Sequence, residues 1–154
     1  MMIYKYLTFG IAITFISWIV GMAVNAVLRK TEYYNKSLSN LNFIENEKWN
    51  KFIGLGIFKW IVKNTFFKFF NQKLKLKKKI EKTELNNLRN EMTISEIDHL
   101  IGFGFVAVFA LVKVWNSYYL FGLVIMIVNI LMNLYPSLLQ QENKRRIDKL
   151  MGKL

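Results

Sequence analysis

Charge is almost absent from two long stretches of this chain, and that segregation constrains its fold more than any other feature. From Tyr4 to Leu28 the only charged residue is Lys5, and from Leu100 to Gln141 it is Lys113. All other charges fall in residues 29–99 or after Gln141. A water-facing helix carries polar groups along one side of every turn, and neither stretch does. A bilayer suits them, since crossing ~30 Å of hydrocarbon takes about 20 predominantly apolar residues. The expectation is an all-α integral membrane protein, a single membrane domain over 1–154.

The first stretch predicts one span, residues 7–28. Its end is only loosely like a signal-peptidase site, and Arg29-Lys30 directly after it reads as a cytoplasmic retention signal, so it is expected to stay as a membrane anchor. The second stretch is about twice the length of a span and is interrupted by Lys113-Val-Trp-Asn-Ser-Tyr-Tyr119, polar and aromatic residues of the kind that sit at a membrane interface. It predicts two helices, 97–114 and 118–139, joined by a tight turn. Gly102, Gly104, Ala107 and Ala110 would let them approach closely.

The basic residues orient these spans. Of 22 Lys and Arg, 15 lie in residues 29–99 and five after Gln141, with one each at Lys5 and Lys113. Positive charge stays on the cytoplasmic side, so three spans with the N-terminus outside and a cytoplasmic C-terminus satisfy both blocks. The expected location is a membrane that faces the cytosol. The net charge of +12 comes with no nucleic-acid recognition motif, and anionic lipid headgroups are its expected partners. The chain contains no cysteine, which excludes disulfides, thiolate metal sites and a cysteine nucleophile.

Residues 29–96 read as a cytoplasmic interfacial segment, with a polar helix over residues 81–90, and 142–154 as a basic tail. Within the former, Phe52 to Phe70 is apolar but punctuated by Lys59, Lys63 and Lys68, which are costly at mid-bilayer. Lys51, Lys59 and Lys63 share an arc of about 120° on a helix, which predicts an amphipathic helix in the headgroup plane or a re-entrant element, with a fourth, tilted span over residues 52–70 as the alternative. Lys73, Lys75, Lys77, Lys78 and Lys79 then form a polybasic run suited to adhesion on anionic lipid.

The only histidine, His99, stands at the edge of the second span, three residues after Glu96. Residues i and i+3 share a helix face, so Glu96 and His99 are candidates for a carboxylate-oriented general base. The same letters support another reading: Thr93-x-x-Glu96 before an apolar run is a capping box. A metal site is a poorer fit, because Asp98 points to another face and there is no second histidine. In the third span Asn129 and Asn133 are spaced i, i+4, followed by Gln140, Asn143 and Arg146. These are either interhelical hydrogen-bonding residues or, brought to the same cytoplasmic edge as His99, substrate-binding groups; an arginine there suits an anionic donor.

Glu91-x-x-x-x-Glu96-x-x-His99 entering one span and Asn133-Leu-x-x-x-x-x-Gln140-x-x-Asn143-x-x-Arg146-Ile leaving the next resemble the small glycosyl-4,4'-diaponeurosporenoate acyltransferases of bacterial carotenoid biosynthesis. A looser likeness covers Trp49, Gly54 and Lys59-Trp60, and the whole spans about 100 C-terminal residues. The resemblance implies transfer of a fatty acyl group onto a sugar hydroxyl of a glycosylated carotenoid, the last step of a staphyloxanthin-like pathway. It implies an acyl-thioester donor, a glycosylated lipid acceptor and no cofactor, with His99 and Glu96 catalytic and Asn133, Gln140, Asn143 and Arg146 holding substrate. The competing expectation is a non-catalytic membrane subunit whose polar residues join helices or grip a partner.

Overall fold

A computed structural model of the chain describes residues 2–41, 43, 54–64 and 82–152. Among them there are only helices and turns. Helix α1 is Met2–Leu28, α2 is Glu32–Lys36, α3 is Leu55–Asn64 and α4 is Lys82–Trp115. The last, α5, runs over Tyr119–Met151 with a π-helical turn at Ile130–Leu134. Three of these, α1, α4 and α5, are long and apolar enough to cross a membrane. A re-entrant element is not among the described structure: α3 is a ten-residue helix, and Lys51, Lys68 and the polybasic run lie outside the described residues.

The bundle is apolar outside, and its interior holds polar as well as apolar side chains. Ile19, Val27, Leu111 and Leu123 are exposed, whereas Thr14, Ser17, Asn129 and Asn133 are buried. Exposed apolar surface on that scale is stable only in hydrocarbon, and buried side-chain amides then join helices by hydrogen bonding. The α4–α5 turn keeps to the pattern. Trp115, Tyr118 and Tyr119 are exposed there, as side chains with one apolar and one wet end are at a membrane interface. Ser117 adopts φ 65°, and the bonds Tyr118 N to Lys113 O and Ser117 N to Val114 O, each 2.9 Å, close α4 with a Schellman turn in which serine takes the usual glycine position. Lys113 sits over the rings of Phe121 and Phe9, 4.9 and 5.8 Å from their centroids, a cation–π setting that suits the one charge between Leu100 and Gln141.

Small residues set the helix crossings. A Cβ on Gly21 would collide with the Asp98 carbonyl, and one on Gly122 would lie 2.6 Å from Val114 Cγ2 and 2.9 Å from Ala110 O. Gly102 lies where a Cβ would come 3.1 Å from both Ser17 Oγ and Asn133 Oδ1, but Gly104 faces open space and is not a packing residue. Ile13, Val106, Ala110 and Ile125 form the core between α1, α4 and α5.

Three expected boundaries move, the first only slightly, since α1 starts at Met2 rather than near Leu7. The second membrane helix starts at Lys82 rather than near Ile97, so Thr93 and Glu96 lie mid-helix and no capping box forms; the Thr93 hydroxyl donates to Arg89 O at 3.0 Å. The third continues through the basic tail to Met151. The last two extensions have one cause. Leu85, Leu88 and Met92, at helical spacing on α4, pack against Ile147 and Met151 on α5, so the two helices keep a shared apolar seam past their long uncharged stretches. Arg89 and Asp148 pair across it at 2.6 Å. Near the bundle, α3 docks on α5 through Leu55 and Phe58 against Leu134, Tyr135, Leu138 and Leu139. Lys59 pairs with Glu142, so its ammonium is held against α5.

Candidate active site

The buried polar residues converge on Asn133. Its Oδ1 accepts from Trp18 Nε1 at 3.1 Å and lies 3.4 Å from His99 Nδ1, while its Nδ2 donates to Ser17 Oγ at 3.1 Å and Asn129 Oδ1 at 2.9 Å. Asn129 in turn donates to Phe103 O at 3.0 Å. These bonds fix protons. An indole N–H only donates, so the atom facing Trp18 must be the amide oxygen. That oxygen cannot donate, so the bond to His99 requires the proton on Nδ1. Neutral His99 then carries its lone pair on Nε2. Trp18 also meets the imidazole edge-on, with centroids 5.9 Å apart, so the ring is held from two sides.

His99 borders a cavity of about 430 Å³ between α1, α3, α4 and α5. Phe58, Ile61, Val62, Leu131, Met132 and Leu139 make its walls apolar, and Ser95, His99, Gln140 and Trp18 give it a few polar groups. A largely apolar pocket with a few convergent polar atoms is the usual form of a small-molecule site. Ser95 lies one turn before His99 on α4, on the same face.

A second network lies beside the first. Glu96 is fully buried and accepts from Gln141 Nε2 at 2.7 Å while pairing with Lys144, itself buried. Lys144 Nζ also reaches Leu41 O at 3.4 Å, and Gln141 Oε1 accepts from Phe43 N at 3.2 Å. Glu96, Gln141 and Lys144 thus fasten α4 to α5 and to the chain that follows α2. Asp98 accepts from Asn25 Nδ2 at 2.7 Å, and the same amide donates to Ile94 O at 3.1 Å, tying α1 to α4 at the Gly21 crossing. Nearby, burial pushes the Tyr34 phenol above its ordinary pKa, so it stays protonated.

Of the residues singled out in the sequence, His99, Asn133 and Gln140 come together, Asn133 behind the imidazole and Gln140 on the cavity wall. Among the described residues no hydrogen bond joins Glu96 to His99; the carboxylate goes to Gln141 and Lys144, and Asn133 takes the orienting position. Asn143 is half-buried, and Arg146 is largely exposed, bonded to Glu142 at 2.8 Å. No cluster of three or more His, Cys, Asp or Glu able to hold a metal occurs among the described residues.

Sequence reasoning passed over Ser17, Trp18, Asn25, Ser95 and Lys144. A signal existed for the first span: Gly10, Thr14, Ser17, Gly21 and Asn25, all buried, recur every three or four residues, the spacing of one helix face. Lys144 had none, since nothing in a basic tail marks one lysine as buried.

A protein-family model described as glycosyl-4,4'-diaponeurosporenoate acyltransferase matches residues 30–153 of the chain. No curated protein and no solved structure matches it.

Proposed function

From the chain's membership of the glycosyl-4,4'-diaponeurosporenoate acyltransferase family, we propose that it moves a fatty acyl group from an acyl thioester to a sugar hydroxyl of a glycosylated carotenoid or a similar glycolipid, in a bacterial cytoplasmic membrane. The observation that carries this reading is His99, on the wall of an apolar cavity with its Nδ1 committed to Asn133. A histidine held in that tautomer is a general base at Nε2.

The step balances without a covalent enzyme intermediate. Nε2 takes the proton of the sugar hydroxyl as its oxygen attacks the thioester carbonyl. A C–O bond forms, the tetrahedral intermediate collapses with cleavage of C–S, and the leaving thiolate recovers the proton from the imidazolium. The apolar walls suit the acyl chain and exclude water, which would otherwise hydrolyse the donor. The Gln140 amide, on the same wall, is placed to donate to the developing oxyanion. Asn143 and Arg146 follow at three-residue intervals towards the polar end of α5, where they would meet the donor's anionic head. Glu96 acts at one remove, by fixing the turn of α4 that carries His99. The positive-inside rule, applied to both basic blocks, supports a site at the cytoplasmic face, where a soluble acyl thioester would reach it.

Lipid mass spectrometry of bacterial cells supplied with a glycosylated carotenoid acceptor tests the proposal. Cells making the chain should accumulate the acyl ester, and cells making the His99→Ala protein should not. If membranes with and without the chain have the same acyl-ester content, the chain is a non-catalytic subunit and the proposal fails.

A further inference from the structure

Helix α5 changes its hydrogen-bond register inside the bundle, and the change falls on the cavity wall. The Ile130 amide is shared between Met126 O and Ile127 O. The π turn Ile130–Leu134 then ends with Tyr135 N bonded to Ile130 O, a span of five residues, and α-helix follows from Tyr135 onward. Returning from a five-residue to a four-residue span skips one carbonyl, because consecutive amides jump by two acceptors. The next residue is Pro136, which has no N–H to offer. The acceptors between Ile130 O and Leu134 O are those of Leu131, Met132 and Asn133. Leu131 O therefore receives no helical amide, and Met132 O and Asn133 O have one amide, that of Ser137, between them.

Side chains do not compensate. Among the described residues none donates a hydrogen bond to these carbonyls, and the Ser137 hydroxyl one turn on is buried without a partner. A bare peptide carbonyl costs several kcal/mol in hydrocarbon, so irregular backbone persists at membrane depth only where protein or a cavity surrounds it. Leu131, Met132 and Pro136 all line the cavity that His99 borders.

We propose that the carbonyls freed by the π turn and Pro136 form the acceptor subsite, where they take hydrogen bonds from sugar hydroxyls and hold one of them against His99 Nε2. This inference rests on the cavity being the acyl-transfer site and adds which atoms select the acceptor. Carbonyl oxygens accept and cannot donate. A wall of them favours a hydroxyl-rich head and repels phosphate or carboxylate, so the subsite selects neutral glycolipids against the anionic lipids of the surrounding bilayer.

The test is equilibrium binding of a long-chain alkyl glucoside, its deoxy analogues and an alkyl phosphate of equal chain length to the protein in bilayer discs, without acyl donor. In Pro136→Ala a new amide N–H competes for one freed carbonyl. The glucoside should bind this variant about 2- to 10-fold more weakly than wild type, the range for one neutral hydrogen bond. At least one deoxy analogue should lose a similar factor on wild type but little further on the variant. Equal glucoside affinity for both proteins overturns the proposal, as does alkyl phosphate binding to wild type as tightly as the glucoside. If Pro136→Ala does not insert, the deoxy series on wild type decides, and no loss for any analogue overturns it. Because no donor is present, a protein that binds as expected but transfers no acyl group would refute the proposed reaction and leave the subsite standing.

Discussion

Replacing Lys144 with methionine should cost about 3–5 kcal/mol of stability, the range found when one member of a buried ion pair is removed. The magnitude follows from the surroundings of Glu96. Its side chain is fully buried and that of Lys144 is 4% exposed, so almost no water can take over from the ammonium. Of the carboxylate's partners only Gln141 Nε2, at 2.7 Å, would remain. The complementary double variant, Glu96→Gln with Lys144→Met, removes both charges at similar volume and should return to within about 1 kcal/mol of wild type, because desolvation and attraction nearly cancel in such pairs. Equilibrium unfolding of the four proteins in mixed micelles, with increasing mole fraction of a denaturing detergent, gives the coupling energy directly. A Lys144→Met cost below about 1 kcal/mol, or a double variant as unstable as the sum of the singles, would refute the role assigned to this pair.

Other consequences are sharper for function or for packing. Asn133→Ala removes the acceptor that sets the His99 tautomer, and the acyl-transfer rate of the inserted protein should fall about 100-fold, as for a displaced catalytic group; a tenfold smaller loss would assign the imidazole another orienting group. Gly21→Ala places a methyl against the Asp98 carbonyl, and overpacking there should cost about 1–3 kcal/mol in the same unfolding assay. A double-mutant cycle between Lys59 and Glu142, partly exposed at 22% and 15%, should give no more than about 1 kcal/mol, since apolar packing holds α3 in place.

The membrane spans were legible because charge segregation is a property of whole stretches, and the α4–α5 turn because its polar and aromatic residues interrupt an otherwise unbroken apolar run. Helix ends were not. A polar helix over residues 81–90 was legible, but its unbroken continuation into the second span goes with its packing on Ile147 and Met151, a tertiary fact that no local window contains. The site was half legible. A lone histidine beside a span and an i, i+4 pair of asparagines drew attention to His99 and Asn133, yet Glu96 was paired with the wrong partner. Position i+3 on one helix competes with every residue the fold brings near, and Gln141 and Lys144, 45 and 48 positions away in sequence, are the ones that meet the carboxylate. The π turn at Ile130–Leu134 shows the same limit, since the apolar run that predicts the third span gives no sign of a change of hydrogen-bond register.

The most direct test of the central claim is a single reaction by purified protein in bilayer discs, with an acyl thioester, a glycosylated carotenoid acceptor and mass-spectrometric detection of the ester. Wild type should form the ester and release one thiol per ester. His99→Ala, inserted and as stable as wild type, should be slower by about 10²- to 10⁴-fold, the usual contribution of a general base. Ester formation by His99→Ala at the wild-type rate would contradict the account.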